Sequence, residues 1–197
     1  YIEWGESQGY HTRPTCKSRK RWYDLGTWKE ADLLLSERIW SRFIAFVNSY
    51  KVYENKNLYG LLAHENVDSH VLGALLNSTL SALLLELYGR VSLGEGILDI
   101  DVWMVLSCPI INPTRIQDKL EQLKDASEKL HKRQVEAIFE EIGANTPEEV
   151  SLDKVKPDRR ELDKIVMGEI LGLTEEEQLE VYRAVIDLVT SRIEKAQ

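Results

Sequence analysis

Two hydrophobic regimes divide the 197 residues. Up to about residue 114 the apolar positions are largely aromatic or β-branched and come in short runs; beyond it they are Leu and Ile, three or four apart, among Glu and Lys. The first pattern predicts strands and the second amphipathic helices. "RIWSRFIAFVNSYKVY" (38–53) and "NLYGLLAH" (57–64), parted by the turn-prone "ENKN", read as two strands joined by a hairpin or short loop. The opening "YIEWGESQGY" also reads as a strand. "VLGALLNSTLSALLLELYGR" (71–90) is apolar almost all round, which predicts one buried helix with Asp68 or Ser69 as N-cap and Gly89 near its end. In "GEGILDIDVW" two glycines precede a short strand, and Asp101 is placed to cap a helical turn through "VWMVLS". Pro109 and Pro113 bracket an extended "IIN".

Beyond "NPTR" (112–115) every stretch suggests helix. Ile116, Leu120, Leu123, Leu130, Ile138 and Ile142 form a leaky seam broken by Ser127 and Gln134, which suits packing within the molecule better than a coiled coil. "ANTPEE" interrupts it. A second helix is predicted from about Asp158 to Leu171, stopped by Gly172, and a third from Thr174, where "TEEE" offers a capping box with Glu177. The third aligns Leu179, Tyr182, Ile186, Val189 and Ile193 and places Arg192 and Lys195 near its C-terminal end, where the helix dipole favours cations. The expected fold class is α+β: a mixed small-sheet domain around a buried helix, residues 1–114, followed by a helical C-terminal lobe, residues 115–197.

Charge sharpens the picture. The net charge is −8, with 11 Lys+Arg against 13 Asp+Glu in residues 1–114 and 14 against 20 in 115–197. Against that background "RPTCKSRKRWYDL" (13–25) gathers Arg13, Lys17, Arg19, Lys20 and Arg21 before its first acid, Asp24. With Pro14, Thr15 and Ser18 interposed it has no apolar face, and it reads as an exposed loop leading into a strand "RWYDL". Lys and Arg bind phosphate oxygens, Arg can pair bidentately with guanine, and Thr and Ser hydroxyls serve backbone or base edge. The competing reading is a solvated surface loop. Distant acidic helices do not cancel such a patch, because the Debye length at physiological salt is about 8 Å. Trp22, Tyr23 and Trp28 suit either stacking on bases or anchoring the loop as core, and their apolar area favours the second.

Other classes recede. Hydrophobic content of 43% makes the chain globular. No apolar run approaches the roughly 20 residues that span a bilayer, and no signal-peptide pattern occurs, so a cytoplasmic protein is expected. Tyr1 rather than Met opens the chain, which predicts a piece of a longer protein. Cys16 and Cys108 lie far apart without a partner motif and read as free thiols. His64 and His70, with Glu65 and Asp68 between them, match no standard metal-ligand spacing. There is no P-loop, no HExxH, no Ser-His-Asp set and no PD…ExK cluster, and the two glycines of "GEGILDI" are better explained by a tight turn than by phosphate. The many carboxylates of the C-terminal helices read as solvated.

The order of features is itself informative. "RPTCKSRKRWYDL", then "RFIAFVNSYKVYENKNLYGLL", then "VLGALLNSTLSALLLELYGR", then "GEGILDIDVWMVLSCPIINP" together resemble the C-terminal target-recognition domain of N6-adenine DNA methyltransferases, the TaqI-like specificity domain of restriction-modification enzymes. The tail "ELDKIVMGEILGLTEEEQLEVYRAVIDLVTSRIEKA" resembles the helical C-terminus that often follows it. The resemblance implies a parent that is a site-specific DNA-methyltransferase (adenine-specific), whose separate N-terminal domain binds S-adenosylmethionine and receives the flipped adenine through an NPPY-type motif. Neither that motif nor a glycine-rich cofactor loop occurs here, so no catalytic and no cofactor-binding residue is assigned. The implied partners are double-stranded DNA and that catalytic domain. The residues expected at DNA are Arg13, Thr15, Lys17, Ser18, Arg19, Lys20 and Arg21, with Asn48, Tyr50 and Lys51 as a second set; Asn77 of "LNS" is expected to be bonded internally. The alternative is a protein-interaction module built on the acidic C-terminal helices.

Overall fold

Three consecutive leucines set the larger sheet. In the computed structural model, which describes residues 1–24, 26, 29–92 and 95–196, strand β1 (Leu33–Ser36) lies between β3 (Ala45–Val47) and β4 (Leu58–Leu61). Both pairings are antiparallel, with Leu35 opposite Ala45 on one side and Tyr59 on the other. β3 and β4 are therefore not a hairpin, as the sequence suggested; each pairs with β1, a strand that "ADLLLSE" hides because it lacks β-branched residues. Leu33, Leu35 and Ala45 on one face of this sheet pack against Leu72, Leu76 and Val105. A second small sheet joins β2 (Arg38–Ile39), β6 (Leu98–Asp99) and β5 (Arg90–Val91), in that order.

The apolar stretch 71–90 is two helices rather than one. α3 (Ser69–Asn77) is capped by Asp68, which accepts from the His70 backbone N–H, and α4 (Thr79–Tyr88) is capped by Ser78. The axes bend by 68° at Ser78, so no single described helix is long and apolar enough to cross a membrane. α5 (Val102–Ser107) starts at Asp101, as expected. The seam 116–142 is also divided, into α6 (Leu120–His131) and α7 (Ile138–Ile142). α8 (Pro157–Asp163) runs on as a π-helical turn, Lys164–Ile170, and halts before Gly172, which adopts φ 74°. α9 (Glu175–Glu194) carries the predicted capping box: Thr174 Oγ1 accepts from the Glu177 N–H at 3.2 Å and Glu177 accepts from the Thr174 N–H at 2.8 Å.

Tyr182, Val185, Ile186 and Val189 of α9 are fully buried among α4, α7 and the smaller sheet, while α3, α6 and α8 share a second cluster built on Leu75, Leu123, Leu130 and Leu162. Both clusters mix residues from either side of residue 114. The compact units are instead Tyr1–Glu30 and Ala31–Gln197, so the composition change at 112–115 marks the start of the all-helical run and not the edge of a core. The apolar stripe of α9 is consumed inside the molecule, which removes the observation behind an assembly role for these helices.

Candidate nucleic-acid interface

The unit Tyr1–Glu30 is held together by rings. α1 (Ile2–Ser7) replaces the expected amino-terminal strand, and Gly5 within it is the reason Trp22 can approach: a Cβ there would stand 2.4 Å from Trp22 Cη2. Trp22 Nε1 donates to Glu6 Oε1 at 3.0 Å, Trp22 meets Tyr23 edge-on at 5.8 Å, and Trp4 meets Tyr10 edge-on at 5.5 Å. Trp22 is thus an anchor, as its area suggested, although residues 21–24 form turns and not a strand. Trp28 lies outside the described residues.

On this frame the cations face water. α2 (Pro14–Lys17) is a single turn with Pro14 at its first position, where the missing N–H costs nothing, and the chain then bends through Ser18 to Arg21. Arg13, Thr15, Lys17, Ser18, Arg19, Lys20 and Arg21 are all exposed. The Arg13 guanidinium lies 4.4 Å from the Tyr10 ring centre, Arg19 Nη1 donates to the Asp24 carbonyl at 3.1 Å, and Ser18 Oγ donates to the Thr15 carbonyl at 3.3 Å. Among the described residues none of the five cations makes an ion pair. Residues 1–30 hold six Lys+Arg against four Asp+Glu, a balance of +2, whereas 31–197 hold 19 against 29, a balance of −10. The geometry offers a set of solvated donors for a polyanion.

The second set divides. Asn48 is buried, and its amide is fully engaged: Nδ2 donates to the Ala31 and Val52 carbonyls at 2.9 and 2.8 Å, and Oδ1 accepts from the Val52 N–H at 3.0 Å. It staples the loop after β3 and has no edge left to read a base, which corrects its assignment to DNA. Lys51, at φ 50°, pairs with Asp32 at 3.2 Å. Tyr50 stays 92% exposed.

Sequence reasoning passed over Arg38, Trp40 and Arg42, treating residues 38–53 as one strand. Their side chains are exposed while Ile39, Ser41, Phe43 and Ala45 are buried. The period-two alternation was present in the letters; the inward contacts that fix its sense were not.

A family model described as Type II methyltransferase M.Eco57I, C-terminal domain, matches residues 1–145. The chain belongs to this family. No curated protein and no solved structure matches. The resemblance to the C-terminal domain of a restriction-modification methyltransferase is thereby borne out, and the matched span takes in the cationic unit, both sheets and α1 to α7.

In this methyltransferase C-terminal domain, buried polar groups join the matched span to α8 and α9 beyond it. Glu141 of α7 receives Arg133 Nη1 and Nη2 at 2.6 and 2.8 Å and Arg159 Nε at 2.7 Å. Burial pushes the Glu141 carboxyl upward, but the two guanidiniums outweigh it and hold it at about 2. Asp163 is wholly buried and accepts from the Thr79 N–H at 2.7 Å, the Thr79 hydroxyl at 2.6 Å and the Tyr182 hydroxyl at 3.0 Å. Arg192 reaches back from α9 to Glu86 and to the Trp40 carbonyl, each at 2.6 Å. These are structural contacts, and they make Glu141 and Asp163 exceptions to the reading of the helical carboxylates as solvated, which holds for most of the acids beyond residue 114.

Proposed function

We propose that this domain is the DNA-recognition and DNA-binding module of an S-adenosylmethionine-dependent N6-adenine DNA methyltransferase, acting in the cytoplasm beside a separate catalytic domain. The observation that carries the proposal is the exposed Arg13–Arg21 segment, whose five cations have no carboxylate partner among the described residues although the chain is net acidic. Phosphate contacts from these side chains would set register on the duplex, and any guanine-reading arginine would come from the same group. The domain would also hold the duplex while the target adenine leaves the stack, a step that costs a few kcal/mol.

S-adenosylmethionine would supply the methyl group, and among the described residues the places where a sheet strand leads into a helix do not suit it. The junctions from β4 to α3 and from β6 to α5 contain no glycine, so neither forms a phosphate-type or nucleotide cradle at a helix start. The cofactor is assigned to the catalytic partner, and no methyl-transfer step runs through these side chains.

Fluorescence anisotropy with a labelled duplex tests the proposal. If all five cations meet phosphates, log K falls against log salt with a slope of about 4 to 5 in magnitude. Replacing Arg19, Lys20 and Arg21 by Ala should weaken binding and cut that slope by about 2.7, at roughly 0.9 per contact. Unchanged affinity and slope in the triple variant would overturn the assignment.

A further inference from the structure

The segment from Arg38 to Phe46 presents a comb. Arg38, Trp40, Arg42 and Phe46 point outward, Trp40 with 57% and Phe46 with 37% of its surface exposed, while the residues between are locked from within. The Trp40 carbonyl accepts from Arg192 at 2.6 Å, the Ser41 carbonyl accepts from the Ile138 N–H at 2.7 Å, and Asn77 engages both the N–H and the carbonyl of Ala45 at 2.9 and 2.8 Å. These anchors come from α9, α7 and α3, so the outward side chains stand on a rigid backbone and not on a loose loop. Together they line a shallow cleft with Ser36 and Leu58.

Its chemistry is selective. No carboxylate lines the cleft, in a unit whose balance is −10. Arg42 makes no ion pair among the described residues, and Arg38, 62% exposed at its side chain, touches Asp99 only through Nε at 3.3 Å. Two arginines alternating with a large exposed indole supply phosphate contacts and a stacking surface at once. Bases inside a paired duplex already stack on one another, so a solvent-facing indole gains a base partner only where pairing is broken.

We infer that the Arg38–Trp40–Arg42–Phe46 face is a second nucleic-acid site, one that takes an unpaired base on Trp40 with the flanking phosphates on Arg38 and Arg42. The inference rests on the DNA-binding reading above and adds a preference to it: the domain favours DNA with a local break in pairing.

The test compares a labelled, fully paired duplex with one of the same sequence carrying a short internal bubble, by anisotropy at one salt concentration. The bubble duplex should bind about tenfold tighter, the worth of one stacked base. Trp40→Ala should erase that ratio while leaving affinity for the paired duplex nearly unchanged, Trp40→Phe should keep part of it, and Arg42→Ala should weaken the bubble duplex more than the paired one. Because Trp40 and Arg42 are exposed, the variants should fold, which far-ultraviolet circular dichroism checks. Replacing Arg19, Lys20 and Arg21 should weaken both duplexes alike. A preference that Trp40→Ala retains, or no preference in the parent sequence, overturns this inference alone; failure to bind either duplex overturns the DNA-binding reading as well.

Discussion

Glu141 is 1% exposed, yet it takes bonds from two arginines and from the Glu136 N–H at 2.9 Å. Glu141→Gln would leave the Arg133 and Arg159 guanidiniums facing a neutral amide. Losing one partner of such a buried pair costs about 3–5 kcal/mol, to be read as a lower urea midpoint. The pH dependence follows from the same bonds. The folded-state value of about 2 lies below the ordinary 4.5, so this carboxylate stabilises the fold fully above pH 4.5 and loses its contribution as pH falls from 4.5 towards 2. The loss is at most about 3 kcal/mol, and the Gln variant should show a flatter stability profile over that window. In the letters, Glu141 and Asp163 look like any other acid on an acidic helix, because partner and burial are both set by chain segments far away. Asn77 was legible, since an amide inside an apolar stretch must find internal bonds, and it donates to the Ala45 and Gly73 carbonyls.

Among the elements, the ones with explicit end signals were readable. Thr174 with Glu177, Asp68 and Gly172 each sit where cap chemistry placed them, and Thr174→Ala should lower stability by about 1 kcal/mol in the same urea assay. The bend at Ser78 was not readable: no Gly or Pro marks it, and the side chain that ends one helix begins the next, Ser78 Oγ bonding both the Leu75 carbonyl at 2.8 Å and the Ser81 N–H at 3.3 Å. β1 was missed for want of β-branching, and the 132–137 break because Ile138 and Ile142 continue the helical spacing by accident of position. In the amino-terminal unit a single glycine decides the element. Gly5→Ala should drive α1 and Trp22 apart, which limited proteolysis would detect as faster cleavage within residues 18–24 without a change in the main unfolding transition.

At the scale of the molecule, all three hydrophobic clusters lie within residues 31–197, so a chain lacking residues 1–30 should unfold as cooperatively as the parent in a thermal scan while losing most of its salt-dependent affinity for duplex. The α+β class was visible from the two patterning regimes, and the family from the order of segments. The partition was not, because composition changes at 114 whereas the cores are shared across that point by Arg159 with the Asn77 carbonyl, Thr79 with Asp163 and Arg192 with Glu86 and the Trp40 carbonyl. The last of these links has a temporal meaning. Arg192 sits 152 residues after Trp40, whose carbonyl it fixes. During synthesis the face around Trp40 leaves the ribosome early but lacks its last anchor until α9 has emerged. A nascent chain interrupted before Arg192 would thus display its indole and arginines on a strip short of one tether, and over the 152 intervening residues, at translation speeds of about 5–20 residues per second, that interval lasts roughly 8 to 30 s.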